Sequence, residues 1–278
     1  MATIVDTGTE DLQARIENRV GVLAFNRPEA RNALSPGMYL GIDAALTAMR
    51  ADDEVRCVML TGANGAFCAG GDVKAMNQSN QTGTGPRAEM SNEERIADIQ
   101  RRQRSVSLAL HEFPKPVVAA IEGACAGAGF SMAMATDMRI ATPDALIVTA
   151  FANIGASGDF GGSWFLSRLL GEAKAKELYF RSPRLSGIEA AEIGLVNEVL
   201  DGEGTFQEQA LLWCEDIAAR APLALSKMKE NINRATTVDL ATALDREAEN
   251  MVLTMRSQDH KEAAAAFVEK RTPVFRGE

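Results

Sequence analysis

Two stretches of the chain share one arrangement: an apolar run leads into a turn of very small residues and then into a helical pattern. The first, Val58-Met-Leu-Thr-Gly-Ala-Asn-Gly-Ala-Phe-Cys-Ala-Gly-Gly-Asp72, carries glycines at 62, 65, 70 and 71. The second, Pro116-Val-Val-Ala-Ala-Ile-Glu-Gly-Ala-Cys-Ala-Gly-Ala-Gly129, ends in Gly127-Ala128-Gly129. Turns this small let backbone N–H groups approach a ligand, and the following helix adds the positive end of its dipole. Two such turns brought together would stabilise negative charge developing on an oxygen. Tight helix-strand packing accounts for either turn taken alone. The third glycine of a dinucleotide fingerprint would fall at Met132, and the chain has no Gly-Lys-Ser/Thr and no Gly-x-Ser-x-Gly elbow. Nucleotide-phosphate and serine-hydrolase readings are therefore weak.

The chain has two histidines, His111 and His260. A Ser-His-Asp hydrolase, a His-rich metal site or a His proton shuttle would have to use one of them. His111 lies where a helix ends before Pro114, and His260 at the polar start of the last helix. Neither neighbours a nucleophile motif, and both read as structural or solvated. The four cysteines, Cys57, Cys68, Cys125 and Cys214, form no Cys-x-x-Cys pair. They read as buried reduced thiols in a reducing compartment, and no metal site is expected. A net charge of −9 argues against tracking a nucleic-acid backbone or an anionic membrane. No apolar run reaches the ~18 residues of a membrane span, and the acidic first residues have no leader pattern, so the expectation is a cytoplasmic protein. With 46% hydrophobic and 24% charged residues over 278 positions, the chain reads as globular. A compact monomer of this size exposes about 11,600 Å².

The periodicity supplies the elements that would position these turns. Leu12 to Phe25 reads as a strand pair closed by Asn26-Arg27-Pro28, Ser35-Pro36 opens a helix buried through Ile42, Leu46 and Met49, and Val55 to Thr61 reads as a strand buried on both faces. Asn77 to Met90 is polar and aperiodic and reads as a mobile loop, a candidate lid. A second unit follows: a helix from Asn92 to Leu110, a strand from Lys115 to Ile121, the turn Gly123 to Gly129, a helix from Phe130 to Ala135, and short strands at 139–141 and 145–148. Helices are expected at 162–170 and 173–180, then one opened by Ser186 and Glu189 that stops at Gly194, then a strand at 196–200. Beyond Gly204 the pattern is helical only, with starts at Thr205/Glu208 and Pro222, a third helix traced by Leu240, Leu244, Ala248, Val252 and Met255, and a fourth opened by Asp259/Glu262. The class is α/β, divided as a core over 1–203 and a helical region over 204–278.

The chain resembles the crotonase, or enoyl-CoA hydratase/isomerase, superfamily over nearly its whole length. The matching motifs are Asn26-Arg-Pro-Glu-Ala-Arg-Asn-Ala-Leu34, Gly65-Ala-Phe-Cys-Ala-Gly-Gly-Asp-Val73, Lys115-Pro-Val-Val-Ala-Ala-Ile-Glu-Gly123, Gly127-Ala-Gly129, Gly155 through Gly162, and Gly194-Leu-Val196. The resemblance implies a ββα spiral core, a helical C-terminal trimerisation region giving a homotrimer or hexamer, and an acyl-CoA thioester as substrate with no further cofactor. It implies that the N–H groups of Gly71 and Ala128 form an oxyanion hole for the thioester enolate, each donor typically worth about 10²–10³ in rate. Ala128 serves if its φ is negative. It also implies CoA contacts around Arg31, Ala33, Ala69, Gly70, Asp72 and Val73, and from Phe267 and Lys270 of the last helix, reaching in from a neighbouring subunit. Arg31 and Lys270 are expected to cluster at the CoA mouth.

Departures from the family pattern bear on the reaction. Hydratases of the family place one glutamate on the helix after the second glycine turn and another further along, together handling a water. Those positions here are Ser131 and Phe151. Asp159, in Gly155-Ala-Ser-Gly-Asp-Phe-Gly-Gly-Ser-Trp164, falls where double-bond isomerases of the family look to carry their acid/base residue. Phe151, Phe160 and Trp164 are expected to wall it off from water. The bland alternative makes Asp159 a cap for the helix near Gly161. The resulting expectation is an enoyl-CoA isomerase working through a single aspartate. Its alternatives are an enoyl-CoA hydratase using Asp159 and a non-catalytic CoA-binding or RNA-binding relative.

Overall fold

The structure, a computed structural model, describes residues 2–85 and 89–278. Its main sheet has seven strands in the order β1 (Thr3–Val5), β2 (Leu12–Glu17), β3 (Val20–Phe25), β4 (Cys57–Gly62), β5 (Val117–Ile121), β7 (Met138–Ala141) and β9 (Glu198–Val199). The first three are antiparallel, with Leu12 opposite Phe25. From β3 onward pairing is parallel, with Val20 opposite Cys57 and Val58 opposite Val117. Every residue of β3, β4 and β5 is buried, which is why these segments are continuous apolar runs. A smaller parallel pair, β6 (Ala124–Ala126) and β8 (Leu146–Val148), stands apart from this sheet. β6 lies inside the stretch expected to be only a turn.

The helices are α1 (Pro36–Ala51), α2 (Val73–Thr82), α3 (Asn92–Gln103), α4 (Ala109–His111), α5 (Ala128–Met134), α6 (Gly162–Arg181), α7 (Gly187–Glu192), α8 (Phe206–Ala218), α9 (Pro222–Ala235), α10 (Leu240–Met255) and α11 (Gln258–Glu269). α3 continues into α4 through a π-helical segment, Arg104–Leu108, where regular turns were expected. α6 breaks at Gly171, whose φ of 78° is non-helical, matching the two helices read from sequence. One sheet face packs on α1 through Met38, Ile42, Leu46 and Met49. The other packs on α8, where Phe206, Ala210, Cys214 and Ala218 meet Val22, Met59 and Val118. The core thus continues across residue 204.

Two expectations are corrected. The polar stretch after Asn77 is helical as far as Thr82, because Asp72 caps the helix by accepting from the Ala75 N–H at 3.0 Å and Gly83 ends it in the left-handed region. Residues 86–88 of the expected loop lie outside the described residues. The last helix is capped by Ser257 rather than by Asp259/Glu262. Asp259 instead accepts from the N–H groups of Arg276 and Gly277 at 2.7 and 2.9 Å, and Glu262 pairs with Arg271. No helix of the described residues is long and apolar enough to cross a membrane. The chain exposes 14966 Å², well above the about 11,600 Å² of a compact monomer. Part of the excess is apolar and lies on α9 to α11, at Met228, Ile232, Leu244, Met251, Val252 and Phe267.

Candidate active site

The two glycine turns meet, and main-chain hydrogen bonds join them. The Cys68 N–H donates to the Ala124 carbonyl at 2.8 Å and the Ala126 N–H to the Cys68 carbonyl at 2.9 Å. A third segment joins from below, with Ala69 N–H to the Arg31 carbonyl at 3.0 Å and Leu34 N–H to the Gly70 carbonyl at 2.8 Å. Asn32, fully buried, locks that segment by donating to the carbonyls of Ala63 and Ala66 and accepting from the Arg27 N–H. The approach is too close for side chains. A β-carbon on Gly70, whose φ is +87°, would lie 2.6 Å from the Ala126 carbonyl oxygen and 3.2 Å from the Ala128 nitrogen. One on Gly129 would lie 2.4 Å from the Cys68 carbonyl oxygen. Gly127 takes the positive φ of 54°, so Ala128 enters α5 as an ordinary helical residue. Among the described residues no acceptor takes the N–H of Gly71 or of Ala128.

Asp159 is half-buried just before α6. Its Oδ1 accepts from the Gln103 amide Nε2 at 2.7 Å and from the Phe160 N–H at 2.8 Å. It does not cap α6, whose N-cap is Gly161 with no side-chain bond. Burial pushes the Tyr39 phenol up, Arg102 opposes, and Asp159 and then Cys68 add to the rise. Burial raises the Tyr179 phenol as well, with Ser131 opposing and Asp159 adding. Gly162 lets α6 approach, because a β-carbon there would lie 2.3 Å from the Ser131 Oγ.

A family profile described as Enoyl-CoA hydratase/isomerase matches residues 15–278. The chain is 36% identical over 268 residues to the 1,2-epoxyphenylacetyl-CoA isomerase of Escherichia coli, covering 96% of this chain and 99% of that one. It is 35% identical to the short-chain-enoyl-CoA hydratase of Clostridium acetobutylicum, covering 92% and 93%. Among solved structures, an enoyl-CoA hydratase from Polaromonas superposes with a TM-score of 0.86 at 35% identity, over 95% of this chain and 99% of that one. The chain belongs to the enoyl-CoA hydratase/isomerase family.

In this member of the family, the two positions expected to carry the hydratase glutamates hold no acid. Ser131 is fully buried. Phe151 is buried and stacks on Tyr179, ring centroids 5.9 Å apart and planes at 7°. Of the three expected wall residues, Phe160 stacks on Tyr39 at 5.9 Å, and Trp164 packs edge-on against His111 and Phe165 at 5.3 and 4.9 Å. Phe160, Trp164 and His111 line a cleft of about 820 Å³, together with Gln103, Leu108 and Phe165, between the α3–α4 helix and α9. Phe151 is absent from that lining. Burial and nearby Lys229 push the His111 imidazole below its ordinary range, with Asp137 opposing.

The expected CoA residues divide into two groups. Arg31, Ala33, Ala69, Gly70, Asp72 and Val73 lie on the joined segments, with Arg31 exposed in the left-handed region at φ 50° and Asp72 ion-paired to Arg27 at 3.5 Å. Phe267 and Lys270 are exposed at the end of α11, where Lys270 is the left-handed C-cap. Among the described residues no hydrogen bond or ion pair joins Phe267 or Lys270 to the first group. Sequence reading missed Gln103, Tyr39 and Tyr179. Asn32 lay inside a quoted motif but carried no assignment.

Proposed function

We propose that the protein is an acyl-CoA double-bond isomerase in which the N–H groups of Gly71 and Ala128 hold the thioester enolate and Asp159 is the single acid/base. One observation carries this reading: the Asp159 carbonyl accepts from the N–H of Gly162, which packs on Ser131 one turn along α5 from Ala128, while Ser131 and Phe151 replace the pair that would handle water. The Gly71 and Ala128 N–H groups, free of protein acceptors, match a negative oxygen between them. A carboxylate removes a proton from one carbon of the acyl chain and returns it two carbons away, so no second acid and no cofactor is required. The name of the Escherichia coli relative, a 1,2-epoxyphenylacetyl-CoA isomerase, agrees with isomerisation of an acyl-CoA without naming a double bond.

CoA would lie along Arg31, Ala33, Ala69, Gly70, Asp72 and Val73, with Phe151 and Trp164 near the acyl end. Phe267 and Lys270 would serve a neighbouring subunit of a homotrimer or hexamer, which the exposed apolar residues of α9 to α11 support. Four free buried thiols fit the reducing cytoplasm. The hydratase names among the relatives keep water addition as the second reading. Incubating the protein with a 3-enoyl-CoA and with a 2-enoyl-CoA separates the two by mass. Interconversion at constant mass is expected, whereas gain of a water to give a 3-hydroxyacyl-CoA would assign the hydratase.

A further inference from the structure

We propose that Gln103 is a positioning residue for the acid/base carboxylate, committing Oδ1 of Asp159 to protein donors so that Oδ2 carries the proton. This rests on the isomerase reading. Two N–H groups converge on Oδ1, from Gln103 at 2.7 Å and from Phe160 at 2.8 Å. A proton placed on that oxygen would have to displace one of them. Among the described residues no group donates to Oδ2. Turning the Gln103 amide over would set its oxygen against the carboxylate, so the donating orientation is the one that fits an ionised Asp159.

Both donors are held from behind. Phe160 has a φ of 52°, a conformation bulky residues avoid, and its buried ring is fixed against Tyr39. Gln103 is the last residue of α3 before the π segment, and such segments recur at functional sites. Its neighbour Arg102 lies over the Tyr39 ring at 5.0 Å and pairs with Asp98 at 2.8 Å. Tyr39 thus contacts one donor, Phe160, and Arg102, the chain neighbour of the other.

In the proposed step the C2–H bond of a 3-enoyl thioester breaks, the proton goes to Oδ2, and the electron pair spreads over the thioester as a dienolate. The dienolate takes the same proton back at C4, leaving the double bond between C2 and C3. A carboxylate fixed through Oδ1 cannot rotate to pass that proton to water, so part of the transfer is internal.

The test uses a 3-enoyl-CoA deuterated at C2, in ordinary water, with the label at C4 of the product read by mass spectrometry. Gln103→Met removes the donor at nearly constant shape, and Gln103→Glu replaces it with an acceptor. Both should lower kcat about 10- to 100-fold while KM moves less than ~3-fold, and both should reduce the fraction of label reaching C4. Far-ultraviolet circular dichroism selects the folded variants, and one folded variant suffices. Unchanged kcat and label transfer, or a lower kcat with unchanged label transfer, would overturn the proposal. A wild-type enzyme that isomerises but returns no label to C4 overturns the fixed-oxygen step alone. A wild type that adds water and moves no double bond overturns the isomerase reading beneath it.

Discussion

The two halves of the candidate site are held by different means. At the glycine turns the main chain does the holding: Cys68, Ala69, Leu34 and Ala126 exchange backbone hydrogen bonds, and side chains are excluded by contact. At Asp159 the carboxylate depends on another side chain, Gln103, and on one N–H of a strained neighbour. Backbone-held geometry tolerates a change of residue wherever the new side chain fits, as Ala128 shows. Geometry held by side chains is lost with a single amide.

The sharpest way to break this comparison is Asp159→Asn, which keeps the shape and removes the base. It should lower kcat by about 10²–10⁴ and leave the melting temperature near that of the wild type. An unaffected turnover would place the acid/base elsewhere. Gly129→Ala attacks the other half through packing, since its β-carbon would meet the Cys68 carbonyl oxygen at 2.4 Å. A stability loss of about 1–3 kcal/mol is expected by denaturant titration, with activity falling alongside it. A stable Gly129→Ala protein would show that the turns need no such closeness.

Smaller effects sharpen the contrast away from the site. The C-terminal segment is also held by side chains, and Arg271 with the Val274 N–H brings the Glu262 carboxyl from 4.5 down to about 2. A carboxyl lowered on folding contributes stability that is fully present above its unfolded value and lost as pH falls through its folded one. Hydrogen-exchange protection of Val274 should therefore decline between pH 4.5 and about 2. Protection that persists below pH 2 would sever that link. The smallest effect is expected at the turns themselves. Burial pushes the Cys68 thiol up to about 12 and the Cys125 thiol upward as well, so neither should react with iodoacetamide at pH 8 until the protein is denatured.

What the sequence disclosed follows the same division. The buried strands and the glycine turns were legible because continuous apolar runs and clustered glycines are local facts about the chain. Capping boxes at Ser186 and Thr205 were equally local, and both form as read. Gln103 was not legible: its partner lies 56 residues away, and nothing around a glutamine in Gln100-Arg-Arg-Gln103 indicates a carboxylate beside it. α2 was missed because its polar residues lack a buried face, and a cap with a C-terminal glycine sets its ends. Asp259 misled because its spacing to Glu262 imitates a capping box, while its carboxylate serves the backbone of the C-terminal segment. The arrangement of Phe151 on Tyr179 likewise required the fold, since the rings come from separate elements.

The π segment fixes more than one side chain. A regular helix advances about 100° per residue, and a wider turn at Arg104–Leu108 absorbs one extra residue between Gln103 and His111. Gln103 can thus face Asp159 while Leu108 and His111 line the cleft. Straightening this segment to a regular helix without deleting a residue would swing Gln103 about 100° from its place relative to His111. The widened turn, as much as the residues it joins, is therefore part of the specification of the site.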